Sequence, residues 1–181
     1  MNLSTVEIHR ALWGALRLAR FDIVGLAVFG DRDSDFWQSF FAAVIVLPMF
    51  LFWIGMHGTG MGEDVPLPLA LIYECMAYAI GWLLFPLIAY YLCVHVERAD
   101  QYVRYIVAYN WSSVIQNGLF FLLNVPTALG LMGPNARSFF GLILLLYILT
   151  YGWFVAKSAL GLTPQRAAIF VAADFITSML W

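Results

Sequence analysis

The stretch DRDSDFWQSFFAAVIVLPMFLFWIGMH, residues 31–57, opens on a polar, acidic cluster and continues as an apolar run broken only by Pro48. Asp31, Asp33, Ser34 and Asp35 are of the types that cap free amide groups and oppose the positive end of a helix dipole. The run behind them, 36–57, is long enough at 1.5 Å per residue to cross about 30 Å of hydrocarbon. It reads as a membrane-crossing helix with its own start signal.

The pattern recurs along the chain. Further apolar stretches cover 69–96, where Gly81 and Pro86 are expected to kink a helix, 102–123, which Asn124 and Pro126 should end, 138–156 and 165–181. The last is at the short limit for a span. Of the 181 residues, 63% are hydrophobic and 11% charged, with a mean hydropathy of +0.84. A soluble domain carries roughly twice that charge. A net charge of −2 gives nucleic acid no electrostatic footprint. The expectation is an all-α polytopic membrane helix bundle, with five transmembrane helices in 36–181 behind a cytoplasmic or interfacial segment, 1–35.

Residues 1–20 lack the continuous apolar core of a signal peptide. They place Ile8, Leu12, Ala15, Leu16 and Ala19 on one helical stripe, with His9, Arg10, Arg17 and Arg20 opposite. Ser4 and Glu7 have capping-box spacing, so a helix should begin near Thr5. With Trp13 at its flank, this is the pattern of an amphipathic helix lying in the membrane interface, its arginines among anionic headgroups. The alternative is that its apolar face packs on the bundle.

Basic residues give the orientation. With a cytoplasmic N-terminus, Arg10, Arg17, Arg20, Arg32, Arg98, Arg104, Lys157 and Arg166 all fall on the cytoplasmic side, leaving only Arg137 outside. The C-terminus is then on the non-cytoplasmic side. The turn through Gly58, Gly60 and Gly62 into Glu63, Asp64, Pro66 and Pro68 reads as an outer hairpin loop. Without a following Gly-Lys-Ser/Thr it is not a phosphate-binding loop.

Two acids lie well inside apolar stretches, Glu74 and Asp174. An ionised side chain there costs at least ~3 kcal/mol at mid-helix, so each should face the bundle. The expected topology brings both to similar depth near His57, a constellation able to relay protons or bind a cation, or to serve only in a structural network. Asn110, Ser113, Asn117 and Asn124 share a stripe of the third span, either as interhelical glue worth ~0.6–2 kcal/mol per bond or as a polar path. The many Trp and Tyr residues, among them Trp37, Trp82, Trp111, Trp153, Tyr90, Tyr91, Tyr102, Tyr105 and Tyr109, read as an interfacial belt; a pigment or quinone pocket could use the same rings, but no ligating histidine lies in mid-span. Cys75 and Cys93, about 27 Å apart along a helix, cannot pair and read as packing residues. No metal site, cofactor or catalytic motif is expected.

A short arginine-bearing helix leads through GLAVFGDRDSDFWQSFFAAVIVLP, 25–48, into the first span, and YNWSSV, 109–114, opens the third. In this layout, over most of 10–181, the chain resembles bacterial membrane proteins of the Yip1-like superfamily. The resemblance implies a bacterial inner-membrane protein with a cytoplasmic N-terminus, a periplasmic C-terminus, five packed spans and a scaffold or partner-binding role, and carries no functional residues. The leading expectation is therefore a non-enzymatic accessory or scaffold protein that contacts lipids and other membrane subunits or copies of itself. The alternative is a small transporter or channel using Glu74 and Asp174.

Overall fold

The computed structural model describes residues 4–60 and 65–179, and among them every regular element is helical. The expected loop residues Gly62, Glu63 and Asp64, and the chain end at Trp181, lie outside the described residues.

Ser4 starts the first helix, α1 (Thr5–Ala19), as its spacing to Glu7 requires. The Ser4 hydroxyl accepts the Glu7 N–H at 3.2 Å while the Glu7 carboxylate takes the Ser4 N–H at 2.8 Å. The buried side of α1 includes Ala15 and Ala19 of the expected stripe, with Ile8 and Leu12 half-buried against the core. It is rotated toward Ala11, Gly14 and Leu18, and leaves Leu16 and Trp13 exposed. Small residues win because the backbone comes back very close. A 3-10 segment, Ile23–Val28, folds over α1 so tightly that a Cβ on Gly25 would stand 2.5 Å from the Gly14 carbonyl oxygen. α1 thus packs on the bundle with the face assigned to lipid.

The acidic cluster opens α2 (Asp33–Ser39), which is followed by α3 (Phe41–His57). Asp35 accepts the Arg32 backbone N–H at 3.3 Å and its guanidinium at 3.0 and 2.9 Å. The expected single span breaks at Phe40. Immediately before it the Ser39 hydroxyl donates to the Phe36 carbonyl at 2.7 Å, the local side-chain bond that competes with helix continuity. α3 stops at Gly58, whose φ of +78° is the conformation glycine supplies without strain.

α4 (Leu67–His95), α5 (Tyr102–Ala128), α6 (Pro134–Leu160) and α7 (Pro164–Ser178) complete the bundle. α5 runs past Asn124 and Pro126, where the sequence suggested an end. The proline falls in its final turn, where its missing N–H removes one bond only, and Asn124 turns its amide back onto the Phe120 carbonyl at 2.8 Å.

α5 is the hub, packing against α1, α2, α3, α4 and α6, while α7 fills the space between α6 and α4. This position explains its composition: Asn110 and Ser112 are fully buried, screened from lipid by the helices around them. The helices long and apolar enough to cross a membrane are Asp33–His57 taken across the break, Leu67–His95 and Pro134–Leu160. These give the chain its membrane association. α7, at 15 residues, reaches only about 22 Å.

Tyrosines tie the helices together more than asparagines do. Tyr78 donates to the Ala43 carbonyl at 2.6 Å, joining α4 to α3, and Tyr102 to the Pro86 carbonyl at 3.0 Å, joining α5 to α4. Tyr147 and Tyr151 of α6 donate to Ala19 and Ala15 of α1 at 2.6 and 2.8 Å, and Arg104 to the Leu26 carbonyl at 3.0 Å. The belt reading therefore fails for Tyr105 and Trp111, which are core residues at 2% and 3% exposure, whereas Trp37, Tyr90 and Tyr91 are exposed on the bundle surface. Cys93 packs in the core as expected, whereas Cys75 is exposed; both are free thiols.

Candidate functional site

On α4 the residues Glu74, Tyr78, Trp82 and Phe85 recur at helical spacing, with small Ala77 and Gly81 between them. This stripe faces α3, α5 and α7 across a cavity of about 600 Å³. The opposite walls carry Phe50, Trp53 and His57 from α3, Tyr109, Ser113 and Asn117 from α5, and Asp174 with Thr177 from α7.

The mouth lies at the end of the bundle away from α1. There the Glu74 carboxylate accepts the Gly60 N–H at 2.8 Å and pins the turn leaving α3. His57 stacks on Trp53, ring centroids 3.6 Å apart, with Nδ1 donating to the Trp53 carbonyl at 3.2 Å. The floor lies much deeper. Asp174 accepts the Tyr109 hydroxyl at 2.7 Å, and the Tyr109 ring meets Phe85 at 4.5 Å. Phe85 is eleven residues beyond Glu74, about 16 Å along the helix. Equal depth for the two acids is therefore corrected: Glu74 guards the mouth and Asp174 the floor, because α4 extends further than α7 at that end. Below the floor Phe85, Tyr105 and Phe170 close the bundle, with Tyr105 edge-on to Phe170 at 5.6 Å.

Neither acid has a basic partner among the described residues, where the ion pairs are Arg17–Asp22 and Arg32–Asp35, both remote from the cavity. Only one Asp174 oxygen is engaged by a protein donor among the described residues. Thr177, Ser178 and Ser113 each donate to a carbonyl of their own helix, at 2.6, 2.8 and 3.0 Å. No group of three His, Cys, Asp or Glu able to hold a metal ion occurs among the described residues.

His57, Glu74, Asn117 and Asp174, read together from the sequence, do line one space. Asn110 does not. Its amide donates to Ser39 of α2 at 2.8 Å in the buried core, while Asn117 donates to the Ser113 carbonyl at 2.8 Å. Of the residues assigned to the interface, Arg10, Trp13 and Arg20 are exposed. Arg17 stands over the Trp13 ring at 4.7 Å and donates from Nε to Asp22 at 2.6 Å. The Arg17 bond, with the Val24 N–H second, holds the Asp22 carboxyl below its ordinary value.

No family model, curated protein or solved structure matches this chain. The site is therefore argued from its own geometry. Of the aromatic walls, Trp82 and Tyr109 are assigned from the sequence to the interfacial belt, and Tyr78 and Phe85, with Trp82 on α4, are not singled out there as lining residues. The signal that would have found them is the α4 stripe of one acid and three rings at intervals of four, four and three.

Proposed function

We propose that this is a small, non-enzymatic transporter or channel of the bacterial inner membrane. Its N-terminus is cytoplasmic, its C-terminus periplasmic, and the main chain crosses five times, with α5 as the screened central span and α7 as a short last one. On this reading the end carrying α1, Arg98, Arg104, Lys157 and Arg166 is cytoplasmic, and the cavity opens outward. The observation that carries the proposal is a cavity running from one end of the bundle to a carboxylate with no basic partner among the described residues. Acids at that depth are costly unless paired or used, and pathways for ions and solutes are where they are used.

The accessory-subunit role implied by the Yip1-like resemblance would need a contact surface. α4 offers an exposed stripe of Ile72, Met76, Ile80, Leu83 and Leu87. Lipid chains cover such a stripe as well as a partner helix does, so it does not discriminate. The cavity does. The test is flux of protons or of monovalent cations, inorganic and organic, into dye-loaded proteoliposomes under an imposed membrane potential. Wild type should exceed empty liposomes, and Asp174→Asn should return flux to background while the protein stays folded. No flux from the wild type would overturn the proposal.

A further inference from the structure

We infer that the outward cavity is a binding site for a lipophilic organic cation, an ammonium or related ion carried on an apolar or aromatic body. The inference rests on the transport reading and names its substrate class.

Size is the first argument. At about 600 Å³ the cavity falls within the range that holds small organic molecules. An inorganic cation needs a tight shell of oxygens instead, and no cluster of metal-ligating side chains is found among the described residues. Charge is the second. Among the described residues two carboxylates and His57 line the space and no lysine or arginine does, so its balance of charge favours a cation over an anionic solute. The third is the wall. Phe50, Trp53, Tyr78, Trp82, Phe85 and Tyr109 supply aromatic surface over the whole depth between the two acids. A cation within about 6 Å of a ring face gains most where water is excluded. The rings also bury the apolar body of the same solute, which a pathway for protons or hydrated ions does not need. Asp174 then takes the charge at the floor, with one oxygen held by Tyr109 and the other without a donor among the described residues. Glu74 at the mouth draws the cation in.

The experiment uses tetraphenylphosphonium as probe and tetraphenylborate, of the same shape and opposite charge, as control. Purified full-length protein, with Cys75→Ser and Cys93→Ala, carries Asn117→Cys on the cavity wall. Labelling of the introduced thiol by a membrane-impermeant maleimide is read with and without each ion, beside equilibrium binding of the phosphonium.

The phosphonium should protect the Asn117→Cys thiol and the borate should not. Asp174→Asn should weaken phosphonium binding about tenfold or more, and Glu74→Gln by a smaller factor. Should Asp174→Asn fail to fold, Trp82→Phe against Trp82→Leu decides, with binding largely kept by the ring and lost with the aliphatic side chain. Equal protection by both ions, or binding indifferent to the acid and Trp82 substitutions, would overturn the inference. An introduced thiol that labels but is never protected refutes the ligand class alone. One that cannot be labelled refutes the open cavity, and the transport reading with it.

Discussion

Replacing Asp174 separates what its hydrogen bond does from what its charge does. The bond from Tyr109 at 2.7 Å is the polar tie between α5 and α7, and α7 has only 15 residues with which to hold its place. Asn at 174 keeps an oxygen for the Tyr109 hydroxyl. A neutral acceptor is worth about 1 kcal/mol less than a charged one. Burying an amide instead of a carboxylate returns a comparable amount, so Asp174→Asn should be near neutral. Leu at 174 leaves the Tyr109 hydroxyl without its acceptor, at a cost of about 1–3 kcal/mol. For a chain of this size each kcal/mol lowers the melting temperature by about 2–4 °C. Thermal unfolding in mild detergent should therefore place Asp174→Asn close to wild type and Asp174→Leu about 2–12 °C below it. In a Tyr109→Phe background the Leu penalty should largely vanish, since the partner is already gone. Refutation comes either from Asn and Leu variants melting together or from a Leu penalty that survives Tyr109→Phe.

Three further outcomes follow from the fold. Gly25→Ala should loosen the 3-10 segment from α1, because the new methyl has no room against the Gly14 carbonyl and must displace backbone, at about 1–3 kcal/mol; increased proteolysis between residues 20 and 30 reads it, and an unchanged rate contradicts it. The Arg17–Asp22 pair closes the end of α1, and Asp22 is held below its ordinary 3.8 by that bond. The contribution is thus complete above 3.8 and disappears as pH falls through the lowered value, so the extra cleavage seen on acidification should be absent in Asp22→Asn, which has already lost the charge. A reporter inserted near Asp100 should be active only in the cytoplasm and one fused after residue 181 only outside; the opposite pattern would invert the assigned orientation.

Much of this fold could be read from residue types, and the failures share a cause. The start of α1 at Ser4 and the apolar helices around Pro48, Pro86 and Leu142 follow from capping chemistry and hydropathy, which act locally. The buried face of α1 does not. Its rotation toward Ala11, Gly14 and Leu18, with Leu16 left exposed, depends on Gly25 arriving from a later segment and on Tyr147 and Tyr151 reaching across from α6. The same holds for the site. Glu74, Asp174, His57 and Asn117 stand out because polar groups in apolar stretches are costly. Asn110 stood out for the same reason, yet its partner, Ser39, is set by how α2 packs on α5. Tyr109 and Trp82 were hidden because an aromatic ring near a span end is equally at home in a headgroup belt or a binding wall. Only the packing of α4 against α7 decides between them.

The most direct test of the outward cavity is side-resolved labelling of Asn117→Cys in intact membranes, using a maleimide that cannot cross the bilayer. The account predicts labelling from the periplasmic face and none from the cytoplasmic face, where Tyr105, Phe85 and Phe170 close the bundle. Labelling from the cytoplasmic face alone, or from neither, would contradict it.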